Sequence, residues 1–226
     1  MATPDDPSKV CWFCGHRPPE KAYRRDVDVH AVCATCFDRL SVQDAYEGAL
    51  GEIGALEKAG RVDDALDSLN AILEANGERD HDGWLARSIA SHRALSLSLG
   101  GRPAEAEKEL RRRALLGFAD VWERYEHGLA LAKTLEALGR DADAVVALED
   151  ALSHQEPQYY PTAIALLCKL AGLVEKLGRP VEPQWMDLAS AAASHNGVAV
   201  PAGESPAQVF SALHRLLRAR PPRAAK

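Results

Sequence analysis

The chain has 226 residues, with 27 lysines and arginines against 33 aspartates and glutamates, for a formal net charge of −6. Hydrophobic residues make up 46% and charged residues 27%, a balance that excludes a wholly disordered chain and fits one large domain or a small and a medium one. Aromatic residues are only 6%, so Ala and Leu carry the apolar load and helices are expected.

No run approaches the roughly 18 consecutive apolar residues that a membrane-spanning helix needs. Residues 1–8 combine neither a basic nor an apolar leader region; they read as a disordered tail on a protein expected in the cytoplasm. Charge is uneven along the chain. Residues 41–204 hold 16 basic against 27 acidic groups, a net of −11, while residues 205–226 hold five basic groups and no acidic one. An acidic middle repels phosphate backbones, so composition speaks against nucleic acid as the main partner.

Cysteines dominate the first segment, residues 9–40. Cys11-Trp-Phe-Cys14 and Cys33-Ala-Thr-Cys36 are separated by eighteen residues. Each pair points two sulfurs to one side, and two pairs build the tetrahedral four-thiolate cage that suits one structural Zn²⁺. Iron-sulfur ligation by the same thiolates stays open. Two disulfides fit an oxidising compartment that nothing here suggests. Gly15 is placed to turn backbone N–H groups toward the sulfurs, and a helix is expected over 37–40, with its positive end near the thiolates. Arg17, Lys21, Arg24 and Arg25 are close enough in sequence to offset the cage's charge. His16 and His30 are not expected as ligands, because four thiolates fill the tetrahedron. The expected order is knuckle, short hairpin, helix, a treble-clef-like finger.

The run Cys11-Trp-Phe-Cys-Gly15, the eighteen-residue spacing and Val32-Cys-Ala-Thr-Cys36 resemble the zinc-binding N-terminal domain of the ClpX unfoldases over residues 9–40. That resemblance implies Cys11, Cys14, Cys33 and Cys36 as ligands, a homodimer through the finger, and capture of substrates or adaptors. The ATPase of that family is missing, since no G-x-x-x-x-G-K-[ST] occurs. The fingers of the DksA and TraR regulators have related spacing and imply a rival reading, RNA-polymerase binding.

Ser41 reads as an N-cap with Asp44 three residues on, so a new helix is expected to start there and the finger to pack near Tyr46 and Leu50. Beyond it a Gly-Arg pair recurs at Gly60, Gly101, Gly139 and Gly178, at intervals of 41, 38 and 39 residues. A period of this size marks an α-solenoid. Each glycine is expected in the turn of an αα-hairpin. Ala65, Ala106 and Ala144 stand five residues after it, Leu69, Leu110 and Leu148 nine after, and Ala94, Ala132 and Ala171 seven before. Small residues at these offsets let helices approach and leucines fill between hairpins. The run Gly139-Arg-Asp-Ala-Asp-Ala144 carries a resemblance to the tetratricopeptide repeat family over about 42–195.

The expected fold class is therefore mainly α: a treble-clef-like finger fused to an α-solenoid of about four hairpins over 41–204. The fourth repeat departs, with Pro183 where alanine is expected. Ser205-Pro-Ala-Gln208 reads as the capped start of a terminal helix over 205–219, and residues 220–226 as a disordered basic tail. The tetratricopeptide resemblance implies a partner groove lined by Ser91, Leu95, Leu129, Lys133, Glu136, Cys168 and Glu175. Cys168 itself reads as a small core residue, and Trp84, Trp122 and Trp185 as packing residues near helix starts. No paired-histidine metal motif, nucleophile elbow or dinucleotide fingerprint occurs. The expected function is a non-enzymatic adaptor or scaffold that recruits a protein or peptide client, in a proteolysis- or chaperone-linked role. The alternative is a zinc-finger regulator of transcription or RNA.

Overall fold

The structure, a computed structural model, describes residues 10–15, 19–25, 28–157, 160–203 and 205–219. The two expected tails, 1–8 and 220–226, lie outside the described residues, as do His16 and Arg17. Among the described residues are one β-hairpin and nine α-helices. Strands β1 (Lys21–Arg25) and β2 (Asp28–Val32) pair antiparallel with Tyr23 opposite His30. The helices are α1 (Ala34–Lys58), α2 (Val62–Asn76), α3 (Trp84–Leu99), α4 (Pro103–Leu115), α5 (Val121–Ala137), α6 (Asp141–Leu152), α7 (Tyr160–Lys176), α8 (Pro183–His195) and α9 (Pro206–Arg218). Among the described residues, no helix is long and apolar enough to cross a membrane. The chain divides into two compact units, residues 1–100 and 101–226.

The glycine of every Gly-Arg pair takes the left-handed conformation, with φ between 65° and 72° at Gly60, Gly101, Gly139 and Gly178. The arginine N–H after three of them reaches back to close the turn, as Arg61 does to Leu56, Arg140 to Leu135 and Arg179 to Val174. The alanines five residues after the glycine and seven before it are all buried, and so are Leu69, Leu110 and Leu148. After the first three glycines the next helix starts two residues on; after Gly178 it starts at Pro183. The same Gly-Arg-Pro run at 101–103 opens α4 at once, so Pro180 is not the cause; Pro183 holds Glu182 extended, at ψ 144°, and α8 begins at that proline, a favoured first-turn residue.

In unit 1, α1 serves two cores. Its first turns bury Cys36 and Leu40 among Cys11, Tyr23, Val32 and Cys33. Its later turns bury Val42 and Ile53 among Ala65, Leu69, Leu85 and Ile89. Ser41 is not an N-cap. Its hydroxyl donates to the Phe37 carbonyl at 2.7 Å from inside α1, an i−4 bond that leaves the helix intact. The expected boundary at 40/41 thus falls within one 25-residue helix.

In unit 2 one core runs from α5 through α9, centred on Tyr125, Leu148, Ile164, Leu167 and Phe210. Ser205 caps α9 by accepting from the Gln208 N–H, as its sequence implies. Trp185 is buried and Trp84 packs edge-on to Tyr46 at 5.7 Å. Trp122, expected as packing, is 41% exposed on α5, with its indole hydrogen-bonded to Glu126.

Candidate metal centre

A turn, a hairpin and the start of α1 bring the cysteines together. Cys11 and Cys14 flank a turn closed by the Gly15 N–H on the Cys11 carbonyl at 2.8 Å, with Gly15 at φ 70°. The Trp12 N–H donates to the Ala31 carbonyl and the Glu20 N–H to the Val32 carbonyl, both at 2.9 Å, which pins the knuckle and its following strand onto β2. Cys33 is the N-cap of α1, and Cys36 lies in its first turn, where the helix dipole favours negative sulfur. The order knuckle, hairpin, helix is that of the expected finger.

All four sulfurs lie within 4.8 Å of one another, three of the residues buried and Cys14 half-buried, and none forms a disulfide. Metal–sulfur bonds of about 2.3 Å place tetrahedral sulfurs about 3.8 Å apart, so the set needs to contract by less than about 1 Å to close on an ion. The donor set therefore fits a metal. Burial pushes the Cys11 thiol up, but backbone N–H groups of Cys14, Cys33 and Phe13 outweigh it and hold Cys11 down at about 6. Burial and the neighbouring thiols push Cys36 up. The low Cys11 value favours its thiolate, the form that binds a metal ion.

The surroundings are partly those expected. Lys21 pairs with Asp38 at 3.6 Å and lies 4.7 Å over the Phe37 ring; Arg24 and Arg25 are exposed on β1. His30 stands outside the cysteine cluster, its ring stacked on Trp12 at 3.8 Å. Behind the cage the Tyr23 hydroxyl donates to the Asp44 carboxylate at 2.8 Å, and burial together with Asp44 raises that phenol to about 12. Asp38 meets His81 at 3.3 Å and Arg39 meets Asp82 at 2.9 Å. The finger is therefore tied to the helices through Asp44 and the loop before α3, not through Tyr46 and Leu50. Tyr46 faces Trp84 and His92, and Leu50 is exposed.

The expected groove residues divide between the units. Ser91 and Leu95 stand exposed on α3 in unit 1. In unit 2, Leu129 is half-buried and Lys133 exposed on α5, while Glu136 pairs with Lys169 of α7 at 2.5 Å. Glu175 lines a cleft with Gln208, Ser211 and Arg215 of α9. Cys168 is half-buried against the unit 2 core, and burial raises its thiol.

No family model matches the chain, and no curated protein matches it. Among solved structures, a Podosopora anserina chain of nearly identical TPR-like repeats is similar at 17% identity, with a TM-score of 0.38, over 83% of this chain and 98% of that one.

Proposed function

We propose that the protein is a non-enzymatic, cytoplasmic scaffold that recruits a polypeptide client, with one structural Zn²⁺ held by Cys11, Cys14, Cys33 and Cys36. The observation that carries this reading is the recurring helix–glycine–helix unit, with its buried alanines on both sides of each turn. Such units stack into rigid supports whose outward faces bind polypeptides. Four thiolates fill a tetrahedron and leave no open position for substrate, so the metal's contribution is to fix the finger.

Trp12 and Phe13 are exposed at the knuckle, which supports the finer reading of a ClpX-type finger that pairs with a second copy or grips a client. A proteolysis- or chaperone-linked adaptor is the role that reading implies. Ser91, Leu95, Leu129, Lys133, Glu136 and Glu175 are the proposed client contacts, with Glu136 meeting its client through the ion pair with Lys169. One observation favours a second reading, a regulator that binds RNA or RNA polymerase: the Trp12–His30 stack shares the finger with exposed Arg24 and Arg25.

Affinity capture with the full chain, followed by mass spectrometry and nucleic-acid quantification, tests both. A dominant polypeptide client supports the scaffold. Capture of nucleic acid or polymerase, lost on Arg24→Glu/Arg25→Glu, replaces it with the regulator, and capture of neither overturns both.

A further inference from the structure

Unit 2 contains an open cleft of about 580 Å³ bounded by α4, α5, α6 and the loop carrying Phe118, within the size range of protein ligand sites. Its lining is of two kinds. Phe118, Leu115 and Leu131 make an apolar wall, and Leu115 at the mouth is 88% exposed, apolar surface that gains from being covered. Lys108, Arg111 and Arg112 line it from α4, spaced so that their side chains share one face. Arg111 is engaged by Glu107 at 2.7 Å. Lys108 is within the field of Glu105, one turn back on α4, without a close ion pair, and Arg112 forms none among the described residues.

The wall is held in shape before anything binds. Arg113, almost fully buried, donates to the Gly117 carbonyl at 2.7 Å and pairs with Glu123 at 2.6 Å. Its guanidinium and that of Arg124 each lie 4.6 Å from the Phe118 ring centroid and clamp it. The one carboxylate on the lining, Asp150, faces Arg124 at 3.6 Å. The His127 ring lies 5.2 Å from Phe118, and its Nδ1 is buried with no protein partner, a polar atom that the fold leaves for something else to satisfy. Burial, reinforced by Arg113, keeps that imidazole neutral down to about pH 4.

We propose that this cleft docks an acidic segment of a partner polypeptide: one apolar side chain enters against Phe118 and Leu131, and flanking carboxylates pair with Lys108 and Arg112. The inference rests on the scaffold reading and adds the chemistry of the partner. It runs against the net charge of −11 over residues 41–204, which taken alone favours a basic client. At physiological salt the screening length is about 8 Å, so charges in contact outweigh the field of distant ones. Preformed walls reduce the ordering cost of binding. A nucleic-acid strand also offers anions to the rim but brings no apolar side chain for the wall, so charge and apolar surface together favour the peptide.

The test uses the full chain and a fluorescein-labelled synthetic peptide in which leucines are flanked by glutamates, read by anisotropy at physiological salt. Binding is expected, and Lys108→Glu/Arg112→Glu weakens it roughly tenfold, while Lys58→Glu on α1 leaves it unchanged. Both altered positions are exposed, and unchanged circular dichroism verifies the fold. A peptide with serine for leucine loses binding if the apolar wall is used. Equal or tighter binding of the charge-reversed lysine peptide, no effect of the double variant, or displacement by a single-stranded oligonucleotide at equal concentration overturns the proposal. Should the double variant still capture every client of the wild type, this inference fails and the scaffold reading stands. Should the wild type capture no polypeptide, the scaffold reading fails on its own.

Discussion

His127 shows how burial sets a single residue's chemistry. Desolvation, with the Arg113 cation acting in the same direction, lowers its imidazole from 6.5 to about 4. The unfolded chain takes up that proton near pH 6.5 and the folded chain only near pH 4, so native stability falls as pH drops through this window and is fully present above it. The loss is about 2 kcal/mol, discounted for the part of the ring that water reaches. Urea titrations at pH 7.5 and 4.5 should show that loss, and His127→Gln should remove most of it; equal pH dependence in both proteins would contradict the assignment. Gly128 is the second residue whose role is tertiary. A Cβ there meets the Ala151 Cβ at 2.5 Å, because α5 and α6 touch backbone to backbone at this point. Gly128→Ala should cost about 1–3 kcal/mol by overpacking, measured by thermal or urea unfolding. Neither residue is marked in the sequence, since each depends on what a distant helix brings beside it. The cysteines are legible for the opposite reason: each Cys-x-x-Cys fixes its two sulfurs locally, and only the meeting of two pairs is left to the fold.

Helix α1 is the element that sequence signals misdescribe. Ser41 followed by Asp44 has the form of a start signal, yet Leu40 and Val42 on either side of it are buried in different cores, and that burial keeps the backbone helical through the serine. Asp44 is drawn to Tyr23 instead of to a helix terminus. The same helix carries Gly48, Gly51 and Gly54, and a Cβ at any of them meets nothing within 4 Å. Gly48→Ala and Gly51→Ala should therefore each stabilise the protein by about 0.5–1 kcal/mol, the reverse of Gly128→Ala. A decrease in the melting temperature would mean that this glycine face is covered in solution by a second molecule. Farther along, Glu57 accepts from Ser96 at 2.6 Å and meets His92 at 3.2 Å, and His92 meets the Tyr46 hydroxyl at 3.0 Å. This chain ties α1 to α3 inside a nearly closed environment. Glu57→Ala removes the carboxylate that Ser96 and His92 share, while the Ser96 hydroxyl keeps the His92 carbonyl at 3.0 Å as acceptor, so the change should cost about 1 kcal/mol. A double-mutant cycle with Ser96→Ala would read the coupling between the two side chains.

At the scale of the whole chain, the repeat was legible because a left-handed glycine and two flanking alanines recur at fixed offsets, and each obeys local backbone and packing rules. Partner surfaces were less legible, since they depend on which charges stay without a close partner after folding: Glu136 is engaged by Lys169 at 2.5 Å, whereas Arg112 has no ion pair and Lys108 only the field of Glu105. Stability is also divided along the chain. Unit 1 has a sulfur-lined core and a helical core joined by α1, and unit 2 has a separate core from α5 to α9. The four-cysteine cluster supplies half of the finger's buried side chains, so on the proposed reading its integrity depends on a metal at that cluster. Removing that metal should free the hairpin and the first turns of α1, and the loss should spread along the continuous helix toward Val42 and Ile53. Elemental analysis should find one zinc per chain, reduced in Cys33→Ser. After chelation, amide exchange should accelerate over β1, β2 and α1 through Lys58, while the amides of α5 to α9 keep their protection. Exchange that stays unchanged in residues 42–58 would show that the finger is a head whose folding stops at the serine, and equal acceleration in α7 would show that the two cores unfold as one.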